Sequence, residues 1–250
     1  MKTKSLSLSK IKLKKTFLTS ISNPLSKKKL ENFFKIKYFN ENKSNFKKKY
    51  SKLEIKEKTY NFETYLFIIK KFYKKNNIDL LEVGCGEGFG AKYLYDKVNY
   101  FGTELTDIPI KTHNKKILNK INFFKGNFLE IKKIKKNFDV VILNGVLEHL
   151  IDLTKSINFL HSIIKKNGYI FIHVPNDFNI CQRYYLRKYK IKDDRAPWVT
   201  YEHNHYFNKD SLNKIMIKKF KKVLIMGDFP IDLFLLNQKT NYYENKSFGK

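Results

Sequence analysis

The string Leu80-Leu81-Glu82-Val83-Gly84-Cys85-Gly86-Glu87-Gly88-Phe89-Gly90 constrains this chain more than any other stretch of it. Apolar residues up to Val83 predict a short buried strand, and the closely spaced glycines predict a turn whose backbone visits conformations closed to other residues. The residues from Gly88 to Asp96 read as a helix. A strand that ends in such a turn and opens a helix lets the backbone approach a ligand closely and leaves the first helical N–H groups available to it. The glycines do not keep the dinucleotide spacing G-x-G-x-x-G, since the third position counted from Gly84 falls on Phe89. They keep G-x-G-x-G, with Glu82 two residues ahead, and both features disfavour a nicotinamide dinucleotide.

Around this string, short apolar runs alternate with helical stretches, the pattern of an α/β domain. Strands are predicted at Asp79 to Val83, Tyr100 to Glu104, Ile121 to Lys125, Phe138 to Leu143, Tyr169 to Val174, Lys222 to Met226 and Leu233 to Leu236. Helices fall between them at about Ile110 to Asn119, Leu153 to Lys166 and Asp210 to Lys218, with Asp210 or Ser211 as a cap and Gly168 as a left-handed helix stop. The expected architecture is a doubly wound, seven-stranded, mostly parallel sheet. An amphipathic helix carrying Tyr60, Phe62, Tyr65, Leu66 and Ile69 precedes the first strand. The segment 175–208 has no period and follows the C-terminal end of a central strand, where open α/β sheets receive ligands.

The 250 residues carry 51 Lys plus Arg against 23 Asp plus Glu, a net charge of +28. Only Arg183, Arg187 and Arg195 are arginines, and the abundant Lys, Asn, Ile, Phe and Tyr share A/T-rich codons, so a coding bias would give this composition with no binding function, the alternative being a selected polyanion surface. Scarce arginine also argues against reading base edges. Residues 1–60 hold 18 lysines and 4 acids, which sets them apart as a basic region. We expect a flexible or helical arm over 1–45 and one catalytic domain over 46–250. The basic, Ser-rich start superficially resembles an organelle transit peptide but lacks its arginines, and no apolar run reaches the ~20 residues of a membrane span. Cys85 and Cys181 are too few for a disulfide framework, which fits a cytoplasmic chain.

Taken together, Glu82, the loop Gly84-Cys85-Gly86-Glu87-Gly88, Glu104, Gly126-Asn127-Phe128-Leu129, Asn144-Gly145-Val146-Leu147-Glu148-His149-Leu150 and the run Gly168 to Asn176 resemble the ordered motifs of class I S-adenosylmethionine-dependent methyltransferases of the ubiquinone type. The resemblance implies a Rossmann-like fold that binds S-adenosylmethionine through Glu82, Gly84, Cys85, Gly86 and Gly88. Glu104, with Leu105 beside it, would take the ribose hydroxyls, a role the geometry of such folds gives an acid about 20 residues past the first glycine. Asn127 and Phe128 would flank the adenine, although the family's usual acid is replaced by Asn127, and Asn144 would close the site. In that branch an acid three residues before the Glu, then a Glu-His pair and sometimes a later His, hold a divalent metal. Here Gly145 replaces the first acid, so we expect no metal ligands, and a divalent metal stands as the lesser alternative with Glu148, His149 and His205.

The expected catalytic residues are His205 and His149, as proton acceptors suited by an imidazole pKa near ~6.5, with Glu148 beside them. Each also has a plain structural reading: Glu148 at a helix start, His149 as a core imidazole and His205 as a loop anchor. The resulting expectation is methyl transfer to an oxygen, less readily a nitrogen, of a small molecule or sugar-linked intermediate. An RNA acceptor gripped by the basic arm, and a cofactor-binding subunit without catalysis, are the alternatives. Cys85 in the glycine turn has no activating neighbour and is not expected to act as a nucleophile.

Overall fold

The computed structural model describes residues 11–39, 47 and 49–227. Its chain divides into two compact units. Of the described residues, one unit comprises those within 25–147 and 151–174, and the other comprises 11–24, 148–150 and 175–227.

The first unit is built on five parallel strands, β3 (Asp79–Val83), β4 (Asn99–Glu104), β5 (Asn122–Lys125), β6 (Phe138–Asn144) and β7 (Ile164–His173), in the order β5-β4-β3-β6-β7. The chain winds outward from β3 in one direction and then returns to its other side at β6. A crevice must open between the C-terminal ends of β3 and β6, because their connections leave in opposite directions. Strand β6 is buried along six of its seven residues, which explains its unbroken Phe-Asp-Val-Val-Ile-Leu run.

Helices α1 (Lys27–Asn32), α2 (Lys52–Phe72), α3 (Phe89–Leu94), α4 (Ile108–Asn114) and α5 (Leu153–Ile163) complete this unit. Helix α2 starts on a capping box in which Ser51 and Glu54 satisfy each other's backbone N–H groups. Its buried residues Phe62, Tyr65, Leu66 and Ile69 lie on one helical face and pack with Leu80, Tyr100, Val140 and Ile142. That apolar face, legible in the sequence, is what fixes the helix against the sheet.

The second unit holds an antiparallel sheet of β1 (Leu13–Lys15), β2 (Thr19–Ile21) and β8 (His205–Tyr206), with helices α6 (Ile180–Lys188) and α7 (Lys209–Met216). Part of the expected arm is thus a β-hairpin, with Leu13 opposite Ile21 and Ser20 opposite His205. Ile21, Phe178, Leu186, Ala196 and Tyr206 form its buried core.

Among the described residues the expected mostly parallel sheet is seen with five of its seven strands, and residues 222–226 carry no strand, their apolar side chains being exposed. Residues 233–236 lie outside the described residues. Helix α7 is capped by Asn208, not by Asp210 or Ser211, and Asn167 rather than Gly168 takes the left-handed conformation, at φ 66°. Gly168 is instead pressed against Ile164 and the Asp139 carbonyl.

At the opposite end of the strands from the crevice, buried Asp139 accepts hydrogen bonds from the Asp79 N–H at 2.9 Å, Lys165 at 2.9 Å, Lys75 at 3.0 Å and the Tyr73 hydroxyl. Burial alone would raise its pKa, yet these donors hold it well below the usual carboxylate range. Such a group contributes stability above its unfolded pKa of ~3.9 and loses it as pH falls. We expect Asp139→Asn to cost about 2–3 kcal/mol at pH 7 in urea unfolding, with the gap to wild type shrinking below about pH 4.

Candidate active site

The glycine turn sits at the C-terminal end of β3, beside the crevice. Gly84 and Cys85 both donate their N–H groups to the Thr103 carbonyl, at 2.8 and 3.0 Å, which ties the turn to the end of β4. Gly84, Gly86 and Gly88 adopt φ of 72°, 48° and 75°, where only glycine sits without strain. Their surroundings differ. A Cβ on Gly84 would strike Val146 and one on Gly88 would strike Ile110, so these two glycines let the turn pack closely. Gly86 faces open space, so its backbone is open to close approach.

Glu104 ends β4 beside that opening. Its carboxylate accepts the Gly86 N–H at 3.1 Å and the Leu105 N–H at 2.7 Å. Burial nevertheless pushes its pKa up to about 7, against those two bonds. A half-buried carboxylate at a strand mouth, next to a bare glycine backbone, is suited to accept a pair of neighbouring hydroxyl groups.

Glu82 lies beneath the turn rather than over it. It is buried, bonds the Tyr100 hydroxyl and would collide with any Cβ on Gly90, so it braces α3 against the sheet. Burial raises its pKa to about 8. Cys85 is buried against Gly102, and burial drives its thiol well above its ordinary value.

Asn127 is engaged locally. Its side chain caps the following 3₁₀ turn through the Leu129 N–H at 3.0 Å and donates to Glu31 at 3.3 Å, while Phe128 is buried against Phe159. Asn144, at the end of β6, accepts from Asn61 and from Tyr65, each at 3.4 Å. Sequence reasoning missed Asn61, and it also missed Tyr50 and Lys58, which hold the Glu87 carboxylate of the glycine turn at 2.7 and 3.2 Å. Helical periodicity marked the apolar face of α2 but gave no signal for polar residues reaching the mouth of the sheet.

In the second unit, Glu148, His149 and His203 converge, with one ligand atom from each lying within 4.8 Å of the others. Asn204 makes this possible. Its N–H donates to the Glu148 carbonyl at 2.8 Å, its side-chain amide donates to the His149 carbonyl at 2.8 Å, and its own carbonyl accepts the Ile21 N–H at 2.9 Å. His149 donates Nδ1–H to the Glu202 carbonyl at 2.7 Å, which fixes the tautomer with its lone pair on Nε2. The His149 and His203 rings meet edge to face at 4.7 Å.

Burial pushes Glu148 up to about 8 and both imidazoles down to about 4, so at neutral pH the trio is uncharged. Glu148 Oε2 and His203 Nδ1 are buried with no hydrogen-bond partner. Orphaned donor atoms facing one another fit a bound cation, and two imidazoles with one carboxylate suit zinc or another first-row divalent ion. The metal alternative thus draws on His203, not His205. The latter lies outside the trio, with Nδ1 hydrogen-bonded to Ser20 Oγ at 2.8 Å across the β2–β8 ladder.

With this geometry in place, comparison with known proteins is decisive for the family. A methyltransferase-domain family matches residues 55–220 of the 250. The chain belongs to that family. An uncharacterised protein of Methanocaldococcus jannaschii is 30% identical over 130 residues, covering 52% of this chain and 55% of that one. The ubiquinone biosynthesis O-methyltransferase of Pelagibacter ubique is 33% identical over 108 residues, covering 40% and 43%. This methyltransferase-domain chain therefore spans about half, or less, of the length of these curated relatives. Among solved structures, the magnesium protoporphyrin IX methyltransferase of Synechocystis with bound SAH shares the fold at a TM-score of 0.50 and 13% identity, covering 65% of this chain and 72% of its own.

The burial of Cys85 in the methyltransferase-domain turn has a direct check. Iodoacetamide applied to the folded protein should alkylate half-buried Cys181 and leave Cys85 unmodified until denaturant is added. Equal labelling of both thiols in the native state would show that the turn is open beneath as well as above.

Proposed function

We propose that this chain is an S-adenosylmethionine-dependent methyltransferase that acts on an oxygen, less readily a nitrogen, of a small-molecule or sugar-linked acceptor. The observation that carries the proposal is Glu104 bonded to the Gly86 N–H at the crevice, where a ribose diol would replace solvent against one carboxylate and one bare turn. Membership of the methyltransferase-domain family supports the same reading. The oxygen preference draws on two relatives whose names specify O-methyltransferases, one of ubiquinone biosynthesis and one acting on malonyl-[acyl-carrier protein].

Methyl transfer from a sulfonium needs little from the protein beyond in-line positioning and a deprotonated acceptor. The glycine turn and Glu104 serve the first need by holding the nucleoside. In the other unit, Glu148, His149 and His203 would hold a divalent cation, whose chemistry when bound is to lower the pKa of a coordinated hydroxyl. Within that set the Glu202 carbonyl orients His149, and Asn204 fixes the backbone of both Glu148 and His149. His205, tied to Ser20, secures the loop that carries His203.

Incubation of the full chain with methyl-labelled cofactor and fractionated lysate tests the activity. Label in a glycan, quinone or other small-molecule fraction is the expected result. Label in RNA would select the nucleic-acid acceptor, and cofactor binding without label anywhere would make the chain a non-catalytic subunit.

Two further outcomes follow from the site. Since ribose hydroxyls donate to a carboxylate, and free Glu104 titrates at about 7, affinity for S-adenosylhomocysteine should rise by up to about tenfold per pH unit below 7 and level off above pH 8. Glu104→Gln should abolish that dependence and weaken binding roughly tenfold or more, read by calorimetry at pH 6, 7 and 8. Metal analysis after gel filtration should find one divalent ion per chain, with His203→Asn lowering the affinity by about tenfold or more and turnover falling in step.

A further inference from the structure

The three arginines of the chain, Arg183, Arg187 and Arg195, fall within thirteen residues, while its 48 lysines run along all of it. Two of the three line an open cleft of about 640 Å³ in the second unit, together with Lys190 and Asp193. Arginine in a chain that otherwise answers every need for a cation with lysine points to a job for the guanidinium itself, which offers a planar fork of donors.

The charges in this cleft are not equivalent. Arg183 donates to the Asp193 carboxylate at 2.5 Å and lies over the Phe178 ring at 4.5 Å, and Lys15 pairs with the same carboxylate. Asp193 is thereby neutralised and Arg183 is held as part of the wall. Arg187 and Lys190 are exposed, and no ion pair is seen for either among the described residues. They leave two positive charges without a carboxylate partner in the lining of the cleft.

The helix terminus accounts for only part of this. Cations are favoured near the last turn of α6, but Lys188 already supplies one and sits against the Tyr184 and Tyr189 rings instead of in the cleft. The terminal carbonyls, which would repel an anion, are covered. Lys190 takes the left-handed conformation at φ 52°, its N–H reaches the Arg187 carbonyl at 3.2 Å, and the Ile191 N–H reaches the Leu186 carbonyl at 2.9 Å, closing a Schellman stop. That stop brings the Lys190 backbone onto the Arg187 carbonyl, and both residues line the cleft.

The remaining wall is apolar. Leu186 and Ile191 pack together, Ile180 is 81% exposed, and Phe178 is held at φ 52°, a strained conformation for an aromatic residue that keeps its ring between Arg183 and Trp198.

We propose that this cleft binds a phosphorylated amphiphile, with a phosphate ester dianion on Arg187 and Lys190 and an apolar body along Ile180, Leu186 and Ile191. Two unpaired cations match a dianion, and the fork plus point charge is the pairing suited to phosphate oxygens. The proposal stands apart from methyl transfer and does not depend on it.

Calorimetric titration of the full chain with octyl phosphate, below its micelle concentration, tests this, with inorganic phosphate, octanol and phosphatidic acid vesicles as separate arms. Trp198 is the only tryptophan, and its ring is 5.8 Å from Phe178, so its fluorescence places the ligand. Saturable one-to-one binding of octyl phosphate, at least tenfold tighter than inorganic phosphate or octanol and accompanied by a Trp198 change, is expected. Arg187→Gln should weaken it tenfold or more, while Lys188→Gln should not. Binding to vesicles without binding to octyl phosphate, equal affinity for all ligands, equal loss in the two variants, or no binding at all would overturn the proposal.

Discussion

A single carbonyl, that of Thr103, anchors the ligand-binding end of the sheet. By accepting both the Gly84 and Cys85 N–H groups it uses up the first donors of the glycine turn and clamps the turn to the end of β4. Only then do Gly86 and Glu104 come to lie together, because the residue after Thr103 ends its strand beside the residue after Cys85. The buried pair of Glu82 and Tyr100 reinforces the same joint from below and brings α3 against the sheet.

This explains why the fold of the first unit was so legible in the sequence. Strands β3 to β6 were predicted within one residue at each end, since each is a short apolar run bounded by turn residues and lies in a sheet whose register leaves little choice. β7 was harder. Its pairing with β6 slips between Phe138 and Val140, so Ile164 joins the sheet five residues before Tyr169 where helix was expected. The apolar segment 222–226 read as a strand by pattern alone, and pattern does not say whether a partner strand is present.

The second unit was less legible for a related reason. Its sheet joins β2 to β8 across about 185 residues of chain, and its ligand trio depends on Asn204 contacting the backbone of two residues more than fifty positions away. No periodicity announces such pairings. Resemblance singles out the Glu148-His149 pair and offers His205 as a third partner, whereas the structure brings His203 to them. His205 belongs to the ladder and faces Ser20, while His203 lies two residues before the strand, is not bound to its pleat and turns toward Glu148 and His149. Charge was the least informative feature, because lysines are spread along the whole chain, whereas two of the three arginines line one cleft.

The dependence of nucleoside binding on an unobstructed Gly86 is tested most directly by calorimetric titration of S-adenosylhomocysteine into the wild-type chain and a Gly86→Val variant of unchanged Tm. Saturable one-to-one binding to the wild type and a loss of about a hundredfold in the variant, roughly 2.7 kcal/mol, are predicted. Undiminished binding in the variant, or no binding to the wild type, would contradict the assignment of the crevice.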